Sequence, residues 1–280
     1  MAEGRVVILG ARGMLGTDLS LLCRRQGIDV TEFDLPEFDI TDEGQLRNAV
    51  AGASVIVNCA AYTNVDGAES ERELAHNVNG EAVGRLGCLA READAWVLHI
   101  STDFVFEGTS DRPYTEEDQP NPINEYGRSK LAGEKLLVES GCRHCILRVE
   151  WTYGGAGNNF VKKLIARAET QGELNVVDDQ IGSPTATTEV ADAICELLPK
   201  QPEGLLHFAS TGYVSRYDMA RFIVDELGLN VDVCPCNTSD YVSPAARPLN
   251  SRFDCSRMRS LLPRPIAKWQ EMLKDFLLAE

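Results

Sequence analysis

Short apolar runs alternate with amphipathic segments over the first half of the chain. Such runs are typical of parallel strands that are covered on both faces. They predict strands at 5–9, 29–33, 55–59, 96–100 and 144–149. The intervening segments are long enough to cross back over a sheet as helices, near 14–26, 43–51, 74–93 and 124–139. We therefore predict an α/β fold with a doubly wound parallel, Rossmann-type sheet.

The pattern of apolar and polar residues changes after Tyr153, where we predict a smaller C-terminal substrate lobe. The pattern indicates helices near 159–169, 187–198 and 215–227, strands near 174–177 and 205–209, a Pro- and Ser-rich loop at about 234–251, and a last helix. Trp269, Met272, Leu273 and Phe276 form a core-packing stripe on that helix. We assign 1–153 plus about 180–200 to a dinucleotide-binding domain, and about 154–179 and 201–280 to the substrate-binding lobe.

Composition narrows the classes of partner. Lys and Arg total 27 against 43 Asp and Glu, and the net charge of −16 argues against a nucleic-acid partner. Apolar runs are too short to span a membrane, and the first residues run directly into a strand. Nine scattered cysteines favour reduced thiols, so we expect a cytoplasmic protein. Cys234 and Cys236 are interpreted as loop thiols without a metal.

A glycine triplet follows the first strand and opens a helix. Gly10 permits a tight turn, Gly13 lets the backbone approach a pyrophosphate, and Gly16 lets the helix pack closely on the strand. The helix N-terminus would then face the phosphates. With Asp34 at the end of the second strand, this context predicts a dinucleotide cofactor.

The choice between NADH and NADPH stays open at this point. Asp34 would accept hydrogen bonds from ribose hydroxyls and favours NADH, whereas Arg12 would pair with a 2′-phosphate and favours NADPH. Asp39 and Ile40 are candidates for contact with the adenine. An alternative role as a helix cap suits Asp42 better than Asp39.

Tyr126 and Lys130 form the candidate catalytic pair. Residues four positions apart lie on the same face of a helix, here predicted from about 124 to 139. A nearby ammonium lowers the pKa of a phenol by favouring the phenolate, and the lysine can also hold the nicotinamide ribose. Thr102, at the end of the fourth strand, would hydrogen-bond a ketone that Tyr126 protonates.

Several motifs in order resemble one family. The chain is similar to the extended short-chain dehydrogenases/reductases, and within them to the dTDP-4-dehydrorhamnose reductases. The matching segments are 10–16, 60–69, 101–108, 126–134, 151–154, 157–160, 179–185 and 247–251. The resemblance implies NADPH- or NADH-dependent reduction of the C4 ketone of dTDP-4-dehydrorhamnose, a nucleotide-sugar substrate, to dTDP-L-rhamnose.

The resemblance also implies site residues. Catalysis would fall to Thr102, Tyr126 and Lys130, and sugar-nucleotide contact to Thr102, Asp103 and Trp151. Cofactor contacts would come from the three loop glycines and from Met14, Leu15, Asp34, Asp39, Ile40, Ala61, Tyr62, Thr63, Tyr126 and Lys130. Further candidates on the substrate side, for which ordinary loop hydrogen bonding is nearly as good an interpretation, are Gln180, Arg247 and Asn250. Glu150 departs from the family, which often has a small hydroxyl residue there.

Two alternative functions remain. A sugar-nucleotide dehydratase would carry Thr-Asp-Glu after the fourth strand, but Phe104 stands in the place of the Glu. An epimerase would recycle its cofactor rather than consume it. The other alternative is a non-catalytic NADP-binding subunit that resembles the regulatory β subunit of methionine adenosyltransferase, against which the intact pair Tyr126 and Lys130 argues.

The resemblance raises the question of a homodimer. Some relatives form metal-assisted dimers through acidic residues of the second lobe, and Glu189 is the candidate here. A helical carboxylate is usually just solvated, so we predict no metal.

Overall fold

The computed structural model describes residues 4–279. The strands are β1 (Arg5–Leu9), β2 (Val30–Phe33), β3 (Ala53–Asn58), β4 (Trp96–Thr102), β5 (Arg143–Val149), β6 (Thr152–Tyr153), β7 (Glu173–Val177), β8 (Ile181–Gly182), β9 (Thr185–Ala186), β10 (Gly204–Phe208), β11 (Val214–Ser215) and β12 (Asp232–Cys236). The α-helices are α1 (Met14–Arg25), α2 (Glu43–Val50), α3 (Arg72–His76), α4 (Ala82–Glu92), α5 (Glu125–Glu139), α6 (Phe160–Ala168), α7 (Thr187–Leu197), α8 (Arg216–Leu227), α9 (Ser256–Leu261) and α10 (Trp269–Ala279).

The central sheet confirms the predicted doubly wound architecture. Its six strands lie in the order β10-β5-β4-β3-β1-β2, and every neighbouring pair is parallel. Strands β2 and β3 flank β1 on opposite sides, so the chain reverses its winding direction there. Open α/β sheets bind ligands in the crevice that this reversal leaves at the carboxyl ends of the strands.

Alternate residues of each strand face opposite sides of the sheet, and both sides are covered. Val7 shares one buried core with Leu46 of α2 and Leu86 of α4. Ile8, the next residue, shares the other core with Leu19 of α1. The continuous apolar runs thus reflect strands that are buried on two faces.

A third core stands beside the sheet and contains residues of α6, α8 and α10. Trp269 and Leu273 of α10 are buried in it, as the helical stripe predicted, with Met272 and Phe276 packed against them. The parallel pair β7 and β12 adds Leu174 and Val176 to this core. The lobe is therefore organised around its own apolar centre.

Two sequence-based assignments in this region were wrong. Strand β10 pairs with β5 in the central sheet, although we placed residues 201–280 in the lobe, because strand pairing is a long-range contact that local pattern does not encode. The expected loop at 234–251 begins inside strand β12, where Pro235 is accommodated in a two-stranded sheet.

Two features bear on partners. Within residues 4–279, no group of three or more His, Cys, Asp or Glu side chains is arranged to hold a metal ion. Helices in the same range all lack the combination of length and apolar character needed to cross a membrane. Cys234 and Cys236 are half-buried free thiols of β12.

Candidate active site

A cavity of about 680 Å³ follows the carboxyl edge of the central sheet. It brings together most of the residues predicted from the sequence, which are Gly10, Gly13, Met14, Leu15, Gly16, Asp34, Asp39, Ile40, Ala61, Thr63, Thr102, Asp103, Tyr126, Lys130 and Trp151. These residues come from the end of β4, from the loops that follow strands β1 to β5, and from the first turns of α1 and α5. One continuous cleft therefore joins the glycine loop to the Tyr-Lys pair.

The glycine loop requires glycine at both of its ends. Gly10 has φ +76°, and a Cβ there would lie 2.5 Å from the backbone nitrogen of Ala60. A Cβ on Gly16 would lie 2.7 Å from the Cα of Ala11. Helix α1 begins directly after Gly13, whose backbone is extended and which provides no side-chain cap. The first-turn N–H groups thus remain available to an anion, which suits a pyrophosphate.

Asp34 and Arg12 lie together at the glycine-loop end of the cleft. The Oδ2 of Asp34 accepts a hydrogen bond from the backbone N–H of Arg12 at 2.6 Å. The guanidinium of Arg12 is exposed and pairs with Glu37 at 2.7 Å. The hydrogen bond with Arg12 is the main cause that lowers the pKa of Glu37. Both candidates for cofactor choice thus line the cavity.

The loop after β3 differs from the prediction at one residue. Ala61 and Thr63 line the cleft, but Tyr62 does not. The Tyr62 hydroxyl donates to Glu71, and its backbone N–H donates to the Oδ1 of buried Asn79 at 2.9 Å. Its neighbours point to the cavity, so the phenol is directed away from it. Asp39 lines the cleft, while Asp42 caps α2 by accepting from the N–H of Gln45 at 2.9 Å.

Helix α5 positions Tyr126 and Lys130, the predicted catalytic pair. Asn124 caps its N-terminus, with Oδ1 accepting from the N–H of Gly127 at 2.8 Å. One turn apart on the same face, Tyr126 meets the ring of Phe104 edge-on, and the Nζ of Lys130 donates to the carbonyl oxygen of Ile100 at 2.7 Å. The pair therefore lies against the end of β4, as the helical spacing predicted.

Burial dominates the ionisation of both groups. It raises the pKa of Tyr126 to about 12, with a smaller opposing contribution from the Thr102 hydroxyl. It lowers the pKa of Lys130 to about 8. Loss of water around the phenol outweighs the opposing effect of the Thr102 hydroxyl. Tyr126 is thus a protonated phenol, poised to donate. A lowering of the Tyr126 pKa by Lys130 stays a prediction.

Thr102 and Asp103 are joined to each other and to the C-terminal segment. The Thr102 hydroxyl donates to Asp103 Oδ1 at 3.0 Å, and the Ser251 hydroxyl donates to Asp103 Oδ2 at 2.5 Å. Burial raises the pKa of Asp103 to about 6, opposed by these two hydrogen bonds. The carboxyl group consequently orients the Thr102 hydroxyl at the cavity wall.

A second cavity of about 560 Å³ opens from the same region. Phe104, Trp151 and Arg216 line both cavities, so they mark the junction. Arg216 was missed by the sequence analysis. Its guanidinium carbon lies 3.5 Å from the ring centroid of Trp151 and 4.6 Å from that of Phe160. No local pattern singles out this arginine, because both stacking partners come from distant parts of the chain.

The candidates on the substrate side divide into two groups. Gln180 and Arg247 line the second cavity. Arg247 is held by a bidentate ion pair with Asp66, at 2.6 and 2.9 Å. Asn250 lies outside both cavities and donates to the backbone carbonyls of Ser110 and Arg112, each at 2.8 Å. Its role is to hold the loop.

Glu150 and Glu189 serve neither cavity. Glu150 is fully buried, both of its carboxyl oxygens lack a hydrogen-bond partner among residues 4–279, and burial raises its pKa well above the usual value. Burial therefore favours the neutral form of this acid. Glu189 accepts from Arg264 at 2.7 Å and from the N–H of Ala267 at 3.0 Å, so the candidate metal ligand is a structural ion-pair partner.

Comparison with known proteins gives a consistent result. Residues 4–280 match the family model described as the RmlD substrate binding domain. The chain is 38% identical to a dTDP-4-dehydrorhamnose reductase of Mycolicibacterium smegmatis, over 98% of this chain and 85% of that protein. It is 35% identical to the Escherichia coli dTDP-4-dehydrorhamnose reductase, over 97% and 96% of the two chains.

A solved structure shares the whole architecture. The dTDP-4-dehydrorhamnose reductase of Bacillus anthracis, crystallised in complex with NADP, superposes with a TM-score of 0.94 at 36% identity and covers 99% of both chains. Family model, identity and superposition all extend over nearly the full length. The chain therefore belongs to the RmlD substrate-binding domain family.

Proposed function

We propose that this chain reduces the C4 ketone of dTDP-4-dehydro-6-deoxy-L-mannose (dTDP-4-dehydrorhamnose) to dTDP-L-rhamnose, with NADPH or NADH as the reductant. The chain is an oxidoreductase of the family to which it belongs. The observation that carries the proposal is one cleft in which the glycine loop, Thr102, Tyr126 and Lys130 meet, and which joins a second cavity at Trp151.

The residues of the cleft fit a dinucleotide. Gly10, Gly16 and the uncapped start of α1 form a cradle that side chains would fill, and Asp34 or Arg12 would face the ribose. Lys130 would hold the nicotinamide ribose. A reduced nicotinamide, when bound, supplies the hydride.

The chain's own residues supply the proton and the orientation. Tyr126 donates its phenolic proton to the ketone oxygen, and its raised pKa keeps that proton in place until charge develops on the oxygen. Thr102 donates a second hydrogen bond to the same oxygen, after its hydroxyl turns from Asp103. The Lys130 ammonium stabilises the phenolate that remains.

The second cavity suits the nucleotide diphosphate. Its cationic lining comes from Lys163, Arg167, Arg216 and Arg247. Trp151 borders the junction, with the Arg216 guanidinium stacked on its ring. Arg216 is pre-oriented by two aromatic rings, which reduces the entropy lost when it binds an anion. We propose Arg216 as a diphosphate contact, beside Thr102, Asp103 and Trp151 as contacts to other parts of the sugar nucleotide.

The division of labour between the two parts of the chain is also a proposal. The central-sheet domain, 1–153 with about 180–200, binds the dinucleotide, and β10 completes its sheet. Residues of about 154–179 and 201–280, apart from β10, provide most of the second cavity and thus bind the sugar nucleotide.

Two alternatives are less well supported. A dehydratase needs an acid at position 104, where Phe104 packs on Tyr126 instead. A regulatory NADP-binding subunit needs no proton donor at the cavity junction, yet Tyr126 and Thr102 both line the cleft. An epimerase would return its cofactor unchanged and can be distinguished by stoichiometry.

The direct test is consumption of the reduced nicotinamide, followed by its absorbance, with dTDP-4-dehydrorhamnose as substrate. We expect one cofactor oxidised for each sugar reduced, and dTDP-L-rhamnose as the product. Absence of turnover in the wild type, together with NADPH binding and co-purification with a synthetase, would replace the enzyme with the regulatory subunit.

A further inference from the structure

A buried ion pair lies directly behind the catalytic pair. Glu134 of α5 and Arg148 of β5 are 6% and 3% exposed in their side chains. The Nε and Nη2 of Arg148 donate to the two carboxylate oxygens of Glu134 at 2.8 and 2.6 Å, and the Ser101 hydroxyl donates to Oε1 at 2.5 Å. A bidentate geometry with a third donor fixes the position of the carboxylate.

The same helix face carries this pair and the catalytic groups. Tyr126, Lys130 and Glu134 are spaced by four residues along α5. Lys130 docks on the carbonyl of Ile100, and Glu134 docks on the side chain of Ser101, the next residue of β4. Glu134 thus anchors the turn of helix that follows Lys130 to the strand that seats it.

We propose that Glu134 is a positioning residue for the reduction: fixed by Arg148 and Ser101 one turn beyond Lys130, its carboxylate keeps the Lys130 ammonium seated against β4. Together with Ser101, the ion pair of Glu134 and Arg148 joins three elements, α5, β4 and β5, at the carboxyl edge of the sheet. The inference rests on the proposed function only for its effect on turnover.

The groups that face Lys130 come from several elements. They are Glu134 and Tyr126 on α5, His99 on β4 and Cys59 after β3. His99 is neutral, because burial lowers its pKa well below the usual value, and burial raises the pKa of the Cys59 thiol to about 12. Among these groups, the Glu134 carboxylate is the main influence that raises the pKa of Lys130 against the effect of burial.

The test measures the titration of Lys130 by NMR of ¹³C-labelled lysine, with its resonance assigned through Lys130→Arg. In Glu134→Gln we expect the midpoint to fall by about one pH unit, because the carboxylate is lost and Arg148 remains as an unpaired cation. The matched control is Glu189→Gln, which breaks another buried ion pair, with Arg264, on α7. Its Lys130 midpoint should equal that of the wild type.

Turnover supplies a second readout. In Glu134→Gln the alkaline limb of kcat/KM should move down with the NMR midpoint, whereas Glu134→Asp should restore part of both. If Glu134→Gln does not fold, the double variant Glu134→Gln/Arg148→Gln leaves no unpaired charge and should still lower the midpoint.

An unchanged Lys130 midpoint in every folded variant that lacks the Glu134 carboxylate would overturn the proposal. The NMR titration needs no substrate. A wild type that reduces no keto sugar would therefore refute the proposed function, whereas the NMR titration of Lys130 would still test the role of Glu134.

Discussion

The ring of Phe104 meets the ring of Tyr126 edge-on, with 5.6 Å between centroids and 77° between planes. The contact fixes the ring of the phenol that the proposed reduction uses as its proton donor. The dehydratase alternative would need a carboxylic acid in place of Phe104. Phenylalanine at position 104 thus argues against dehydration and is compatible with the proposed reduction.

Replacement of Tyr126 by Phe should abolish most turnover. We expect kcat to fall by roughly 10² to 10⁴-fold, the range typical of a lost general acid, while the affinity for NADPH stays close to that of the wild type. Steady-state kinetics and a fluorescence titration of the cofactor measure the two effects. The control is Tyr217→Phe, on α8 and outside both cavities. Equal loss in both variants would contradict the assignment.

The activity should decline on the alkaline side as Lys130 loses its proton. Burial lowers the pKa of this lysine to about 8, so its charge is present below that pH and disappears above it. We expect kcat/KM, which reports groups of the free enzyme, to fall through that region. In Lys130→Arg the guanidinium stays charged, and the alkaline limb should vanish even though activity is reduced. A limb at the same pH in both proteins would assign it to another group.

Arg12 should decide between the two cofactors. In Arg12→Ala we expect KM for NADPH to rise by about tenfold, through loss of a charged hydrogen bond to the 2′-phosphate, and KM for NADH to change little. The control is Arg24→Ala, another exposed arginine, which pairs with Glu32. Equal changes for both cofactors would show that Arg12 acts through Glu37 and the loop rather than through the phosphate.

Arg216 should contribute to substrate binding. We expect Arg216→Met to raise KM for the sugar nucleotide by about ten- to a hundredfold, since a charged hydrogen bond contributes roughly 1.5–3 kcal/mol. Arg221→Met on the same helix is the matched control, because Arg221 packs on Tyr217 away from both cavities. A KM shift for NADPH instead of the sugar nucleotide would move Arg216 to the cofactor side.

Glu150 should make stability depend on pH. Burial raises its folded-state pKa, so the folded chain retains a proton that the unfolded chain releases, and stability falls as pH rises above the unfolded value of 4.5. Glu150→Gln removes this penalty. Urea unfolding at about pH 5 and about pH 8 should show the variant's stability relative to the wild type growing with pH, by about 1.4 kcal/mol per pH unit while the folded-state proton is retained. Exposed Glu139→Gln should show no such trend.

The alternation of apolar runs and amphipathic segments determined the central sheet and its helices. This part was predictable because hydrophobic periodicity and glycine at a strand-to-helix turn are local signals. The sequence likewise placed Tyr126 and Lys130 on one face of α5, since helical spacing fixes their relation without reference to the rest of the chain.

Only the tertiary structure decided the contacts between distant segments. It placed β10 beside β5, turned Tyr62 toward Glu71, and stacked Arg216 on Trp151. It also made burial the main influence on the Tyr126 pKa, because the extent of burial is a property of the packed site. Residue type and spacing specify which groups can react, whereas packing specifies which of them meet and how much water they lose.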